Sequence, residues 1–111
     1  MDKKTQSKLI TCILPKGKAI PLLEALAEKG IRTANFAHAR GSDIEDSVKS
    51  SKLLPQEDEK EIVTIVAETQ ELAEELFDFS FEKAEINRKG GGIIYMSSLK
   101  YSTPYKVEIN N

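Results

Sequence analysis

The sequence predicts an α+β sandwich: a four-stranded antiparallel sheet with two helices on one face. Three observations predict it. Short β-branched and aliphatic runs alternate with two segments of helical period, in the order β-α-β-β-α-β. Glycines stand where the first helical segment should stop and where the last main strand should start. Two βαβ units with right-handed crossovers then place both helices on the same side of the sheet.

Lys8 to Leu14 (KLITCIL) is short, aliphatic and closed by Pro15, and reads as a first strand buried on both faces. Pro15-Lys16-Gly17-Lys18 is a turn. From Ala19 to Lys29 the positions Leu22, Leu23, Leu26 and Ala27 recur at helical spacing, and Pro21 fits only in a first turn. Gly30 is placed to end that helix as its C′ residue. Residues 31–40 alternate, with Ile31, Thr33, Asn35, Ala37 and Ala39 on one side and Arg32, Ala34, Phe36, His38 and Arg40 on the other. That pattern is a second strand.

Residues 41–59 show no sustained period and many Ser, Asp and Glu residues. A loop longer than roughly 12–15 residues is usually functional or disordered. Lys60 to Ala67 (KEIVTIVA) is a β-rich, central strand, and Glu71 to Lys83 is helical, with Leu72, Leu76, Phe77 and Phe79 or Phe81 facing inward. Ile93 to Leu99 forms the fourth strand. Residues 101–109 contain Pro104 and alternate weakly, which suits an edge strand or tail. The whole is one domain, residues 1–111, of the ferredoxin-like β-α-β-β-α-β type. Its second sheet face has no helix to cover it. With Ile10, Cys12, Ile62, Ile65, Ile94 and Met96 expected on both faces, the bare face predicts oligomer formation through the sheet.

The composition sets outer bounds. At 111 residues with 40% hydrophobic and 31% charged side chains, the chain is an ordinary globular domain. A formal charge of −2 argues against nucleic-acid binding, which leaves a basic footprint. No apolar stretch approaches the roughly 20 residues that span a bilayer, and Met1 to Gln6 opens no signal-type core. The single Cys12 cannot form an internal disulfide. These features read as cytoplasmic.

The run Asn87-Arg88-Lys89-Gly90-Gly91-Gly92 is the richest in chemistry. Two cations lead into three glycines, whose backbone N–H groups can turn toward an anion and approach it closely. The turn at 88–92 suits a phosphate, and a plain hairpin entry remains the alternative. Elsewhere the candidates are thin. Cys12 within KLITCIL reads as a small buried hydrophobe, and one His with one Cys falls short of a metal site. His38 sits near the strand end that feeds Gly41, either lining a ligand cleft or lying on the surface. Asp43, Glu45 and Asp46 lack calcium-loop spacing and read as a solvated acidic loop. The loop serines could accept phosphate or simply keep the loop soluble, and Val48, Leu53 and Leu54 could anchor a partner.

Three features converge on one family: Glu24-Ala25-Leu26-Ala27-Glu28 followed by Gly30-Ile31, Gly41 opening a long loop after the second strand, and Gly90-Gly91-Gly92 before the last main strand. Over residues 8–107 the chain resembles the PII-like nitrogen regulatory signal-transduction proteins. The resemblance implies a homotrimer with its sheets facing inward. It implies an adenine nucleotide (ATP, ADP or AMP) in each cleft between neighbours, no catalysis, and a target enzyme or transporter met through loop 41–59. Carried over by position, Gly41 and Ser42 would form the loop base, and Gly90, Gly91 and Gly92, after Arg88 and Lys89, would wrap the phosphates. Ile65 would lie where a strand backbone reads the adenine edge and Arg32 near the base, while Lys106 falls near a phosphate-binding position across the interface.

The chain also departs from the family. Ile93 follows the glycines where relatives carry lysine, the paired C-terminal arginines are missing, and loop 41–59 has no tyrosine. The glutamine that helps hold 2-oxoglutarate with magnesium is absent as well. Such divergent relatives are associated with bicarbonate or metal transport. A divalent-metal-handling trimer resembling the cation tolerance proteins, which share the fold, is the competing expectation. An acyl-phosphatase would need an arginine in the Pro15-Lys16-Gly17-Lys18 turn, and none is there.

Overall fold

The computed structural model describes residues 6–39 and 59–102. Six elements follow in chain order: β1 (Lys8–Pro15), α1 (Ala19–Glu28), β2 (Ala34–Ala39), β3 (Lys60–Ala67), α2 (Gln70–Lys83) and β4 (Ile93–Ser98). The strands form one antiparallel sheet in the order β2-β3-β1-β4. This is the expected ferredoxin-like arrangement, with the two strands richest in aliphatic residues at its centre. Of the expected loop, residues 41–58 lie outside the described residues, as does the expected edge strand beyond residue 102.

Register sorts the side chains. Ile10 pairs with Ile65 and Met96, and Cys12 with Val63 and Ile94. Directly opposed residues share a face, so these pairs form one layer, and Ile10, Cys12, Leu14, Val63, Ile65 and Ala67 are completely buried in it. Leu22 and Leu26 from α1 and Ala73 and Leu76 from α2 close the same core. At roughly 25 cal/mol per Å² of apolar surface, each large aliphatic chain here contributes on the order of 1.5–3 kcal/mol.

The expectation that Ile10, Cys12, Ile62, Ile65, Ile94 and Met96 spread over both faces needs correcting. Five of them lie on the helix side, and only Ile62 faces away. The open face carries Leu9, Ile13, Ile62, Val66, Ile93 and Tyr95 instead. Strand β1 is accordingly not buried equally on its two sides: Leu9 and Ile13 are half-buried. Neither helix covers that face, and Tyr95 is 48% exposed on it.

The helix ends follow local rules. In α1, Gly30 adopts φ 87° and donates to the Ala27 carbonyl at 2.9 Å, while the Ile31 N–H reaches the Leu26 carbonyl at 2.9 Å. This paired closure is the Schellman ending expected of a C′ glycine. Helix α2 is capped by Thr69, whose hydroxyl accepts from the Leu72 N–H at 3.1 Å. Strand β2 starts at Ala34 rather than Ile31, because residues 31–33 are used in leaving α1 and in bonding Thr33 to Val66.

Candidate functional site

The chain between α2 and β4 folds into consecutive tight turns. Helix α2 ends at Lys83, and Glu85 takes φ 58°, the left-handed conformation. The Arg88 N–H then donates to the Glu85 carbonyl at 3.2 Å, and the Gly91 N–H to the Arg88 carbonyl at 2.8 Å. The three glycines are not equivalent. A Cβ on Gly91 would stand 2.4 Å from the Glu85 carbonyl oxygen, and one on Gly92 would stand 2.3 Å from that of Ile13. Both glycines are demanded by backbone packed on backbone. A Cβ on Gly90 would meet nothing within 4 Å, although its φ is 76°. Gly90 is thus the exposed apex, Gly91 packs on the turn's own carbonyls, and Gly92 pins the turn to the end of β1.

Arg88 and Lys89 flank that apex, and both are exposed. The fold brings a third cation to them. Lys18 Nζ lies 2.7 Å from Glu85 Oε1, and Arg88 Nη1 lies 3.1 Å from Glu85 Oε2. One carboxylate therefore bridges the entry of α1 and the glycine turn. Its bonds to Lys18 and then Arg88, with the charges of both, hold the Glu85 carboxyl below the usual carboxylate range.

Lys18 is itself held by a neighbouring contact. It is the N-cap residue of α1 but provides no side-chain cap. Glu61 of β3 does so instead: its Oε1 accepts from the Ala19 N–H at 2.9 Å. Burial alone would push the Glu61 carboxyl up. Backbone hydrogen bonds from Gly17 and Ala19, the charge of His38 and a further bond from Lys18 outweigh it and set the carboxyl below its ordinary value. Register places His38 directly opposite Glu61. The His38 Nδ1 is 2.9 Å from Glu59 Oε2, and its ring packs on Phe36 with centroids 4.9 Å apart.

Arg88, Lys89, Gly90, Gly91 and Gly92 are thus gathered at one end of the sheet, with Lys18 and Glu85 added. Arg32 and Ile65 are not gathered with them in this protomer. Gly92 touches Ile13, which pairs with Ile62, whereas the Thr33 carbonyl accepts from the Val66 N–H at 3.0 Å. Four residues of strand separate these points, roughly 13 Å. Arg32 is exposed, and Ile65 is fully buried on the helix face in a strand paired on both sides. Gly41, Ser42 and Lys106 lie outside the described residues.

Sequence reasoning missed Lys18 and Glu85 as site residues. They stand 67 positions apart, and no local pattern joins them. Cys12 is fully buried, which pushes its thiol up to about 12, so it stays protonated and inert at neutral pH. Among the described residues no three His, Cys, Asp or Glu side chains converge on a metal position. No helix among them is long and apolar enough to cross a membrane.

No family model matches the chain, and no curated protein matches its sequence. Solved structures do match its shape. The chain has the fold of the PII proteins. The crystal structure of Arabidopsis thaliana PII bound to citrate superposes with a TM-score of 0.64 at 18% identity, covering 86% of this chain and 77% of that one.

Proposed function

We propose that this chain is a divergent PII-like regulatory protein, not an enzyme. In this reading it binds an adenine nucleotide (ATP, ADP or AMP) in the seams of a cytoplasmic homotrimer and acts on a partner through loop 41–59. The partner is a target enzyme or a membrane transporter in nitrogen or inorganic-carbon metabolism. The observation that carries the reading is the rigid turn at 88–92. Gly90 is open at its apex, Arg88 and Lys89 flank it, and Lys18 stands beside it. An exposed glycine turn with cations gathered beside it suits a phosphate.

One further feature supports the quaternary part. The uncovered sheet face is lined by Leu9, Ile13, Ile62, Val66, Ile93 and Tyr95, an apolar patch of the kind that packs on another protomer. The Arabidopsis protein is bound to citrate, a small polyanion. That supports an anionic ligand here.

In this reading the ligand changes how the protein meets its partner only by its differential affinity for two states of the protein. Titration calorimetry with ATP, ADP, AMP and cyclic di-AMP, beside sedimentation equilibrium, tests the proposal. The expected result is a trimer with one nucleotide per protomer. A monomer, or no heat from any of the four, ends it. Equilibrium dialysis against copper and zinc separates it from the metal-handling alternative.

A further inference from the structure

The two helices end in the same way but with different residues. In α1 the left-handed C′ position is Gly30. In α2 the Glu85 N–H donates to the Glu82 carbonyl at 3.1 Å and the Ile86 N–H to the Phe81 carbonyl at 3.0 Å, so the same paired closure places Glu85 at C′ with φ 58°. That position favours glycine, and a residue with a Cβ is strained there. Exposed ion pairs add little to stability, and Glu85 is partly exposed. Neither the backbone nor folding stability accounts for a glutamate at this place.

Its carboxylate does one thing. Each oxygen takes one cation, Lys18 through Oε1 and Arg88 through Oε2, at the mouth of the open turn. We infer that Glu85 is a resident counter-anion of the candidate phosphate site, which a phosphate-bearing ligand must displace to reach Lys18 and Arg88. A terminal phosphate has more charge than a carboxylate and three oxygens, so it can bridge the same two cations and still accept from the Gly90 region. Lys89 makes no ion pair among the described residues, which leaves it able to meet the incoming charge. The site therefore selects against singly charged anions, which gain nothing over the carboxylate they replace. Glu85 also keeps the empty cations paired. This inference rests on the phosphate-binding reading above and names the residue that sets its affinity.

The test is calorimetry of sodium tripolyphosphate with the full chain and with Glu85→Gln, at low salt. Glu85→Gln removes the competing charge at constant size, and binding is expected to tighten about tenfold. Adding Lys18→Ala to Glu85→Gln should cancel the gain. If circular dichroism shows Glu85→Gln unfolded, Glu85→Gly serves in its place, since glycine suits φ 58° and also removes the carboxylate. Binding only in the variant supports the inference in its strongest form. Equal or weaker binding by the folded variant overturns the role of Glu85 and leaves the phosphate site standing. No heat in the wild type or in the variant overturns both.

Discussion

Glu61 offers a direct test of how this domain holds its site in place. The residue is 5% exposed, lies in a central strand, and presents its carboxylate to the start of α1 across 42 positions of sequence. Replacing it with alanine strands the N–H of Ala19, a fully buried residue. Hydrogen bonds to a charged group contribute about 1.5–3 kcal/mol, and losing a helix cap costs about 1 kcal/mol. These are two measures of one contact, so Glu61→Ala should lose about 2 kcal/mol. Glu61→Gln keeps an acceptor oxygen but not the charge and should lose about half as much.

The assay is urea unfolding of each variant at fixed protein concentration and neutral pH. At about 4 °C per kcal/mol, Glu61→Ala should also melt about 8 °C below wild type. pH adds a second, independent readout. Because the folded carboxyl titrates below its ordinary value of 4.5, its contribution is complete above that value and is lost as pH falls through the folded pKa. Wild type should therefore lose stability in acid more steeply than Glu61→Gln. Unfolding of Glu61→Ala within about 0.5 kcal/mol of wild type, the range of an ordinary surface substitution, would refute the reasoning.

Other outcomes follow from the same structure. Gly92→Ala drives a methyl into the Ile13 carbonyl and should cost about 3 kcal/mol, against about 1 kcal/mol for Gly90→Ala, which meets open space; thermal melts rank the two. Thr69→Ala removes the cap of α2 and should cost about 1 kcal/mol in urea unfolding, less than Glu61→Ala because the freed N–H reaches water. The folded Cys12 thiol is raised from 9.0 to about 12, so its contribution is present below pH 9 and is lost as pH rises from 9 through 12. In that window wild type should lose up to about 1.4 kcal/mol per pH unit more than Cys12→Val, measured by denaturant titration in base. Ile62→Lys on the open face should leave helix content by circular dichroism unchanged and abolish any trimer seen by sedimentation.

Particular residues show where the sequence is legible. The period of Leu22 and Leu26, with Gly30 after them, marks α1 and its ending because both signals are local. Lys60 to Ala67 is recognisable as a central strand from its run of β-branched residues. The start of α1 carries no such mark. Lys18 is a poor cap, and the group that replaces it arrives from β3. The triple glycine was visible as a turn. Its division into two packing glycines and one open apex depends on which carbonyls lie against it.

The chain alone therefore determined the order of elements, the alternation of β2 and the cation-glycine composition of the turn, since these rest on backbone geometry within a few residues. Only the folded molecule decided which side of one strand meets which side of the next, and so which aliphatic residues remain on the open face. It also decided that Glu85 joins Lys18 to Arg88 and that Glu61 caps α1. Such contacts depend on interstrand register and crossover packing, which bring together residues 42 and 67 positions apart that share no local signal.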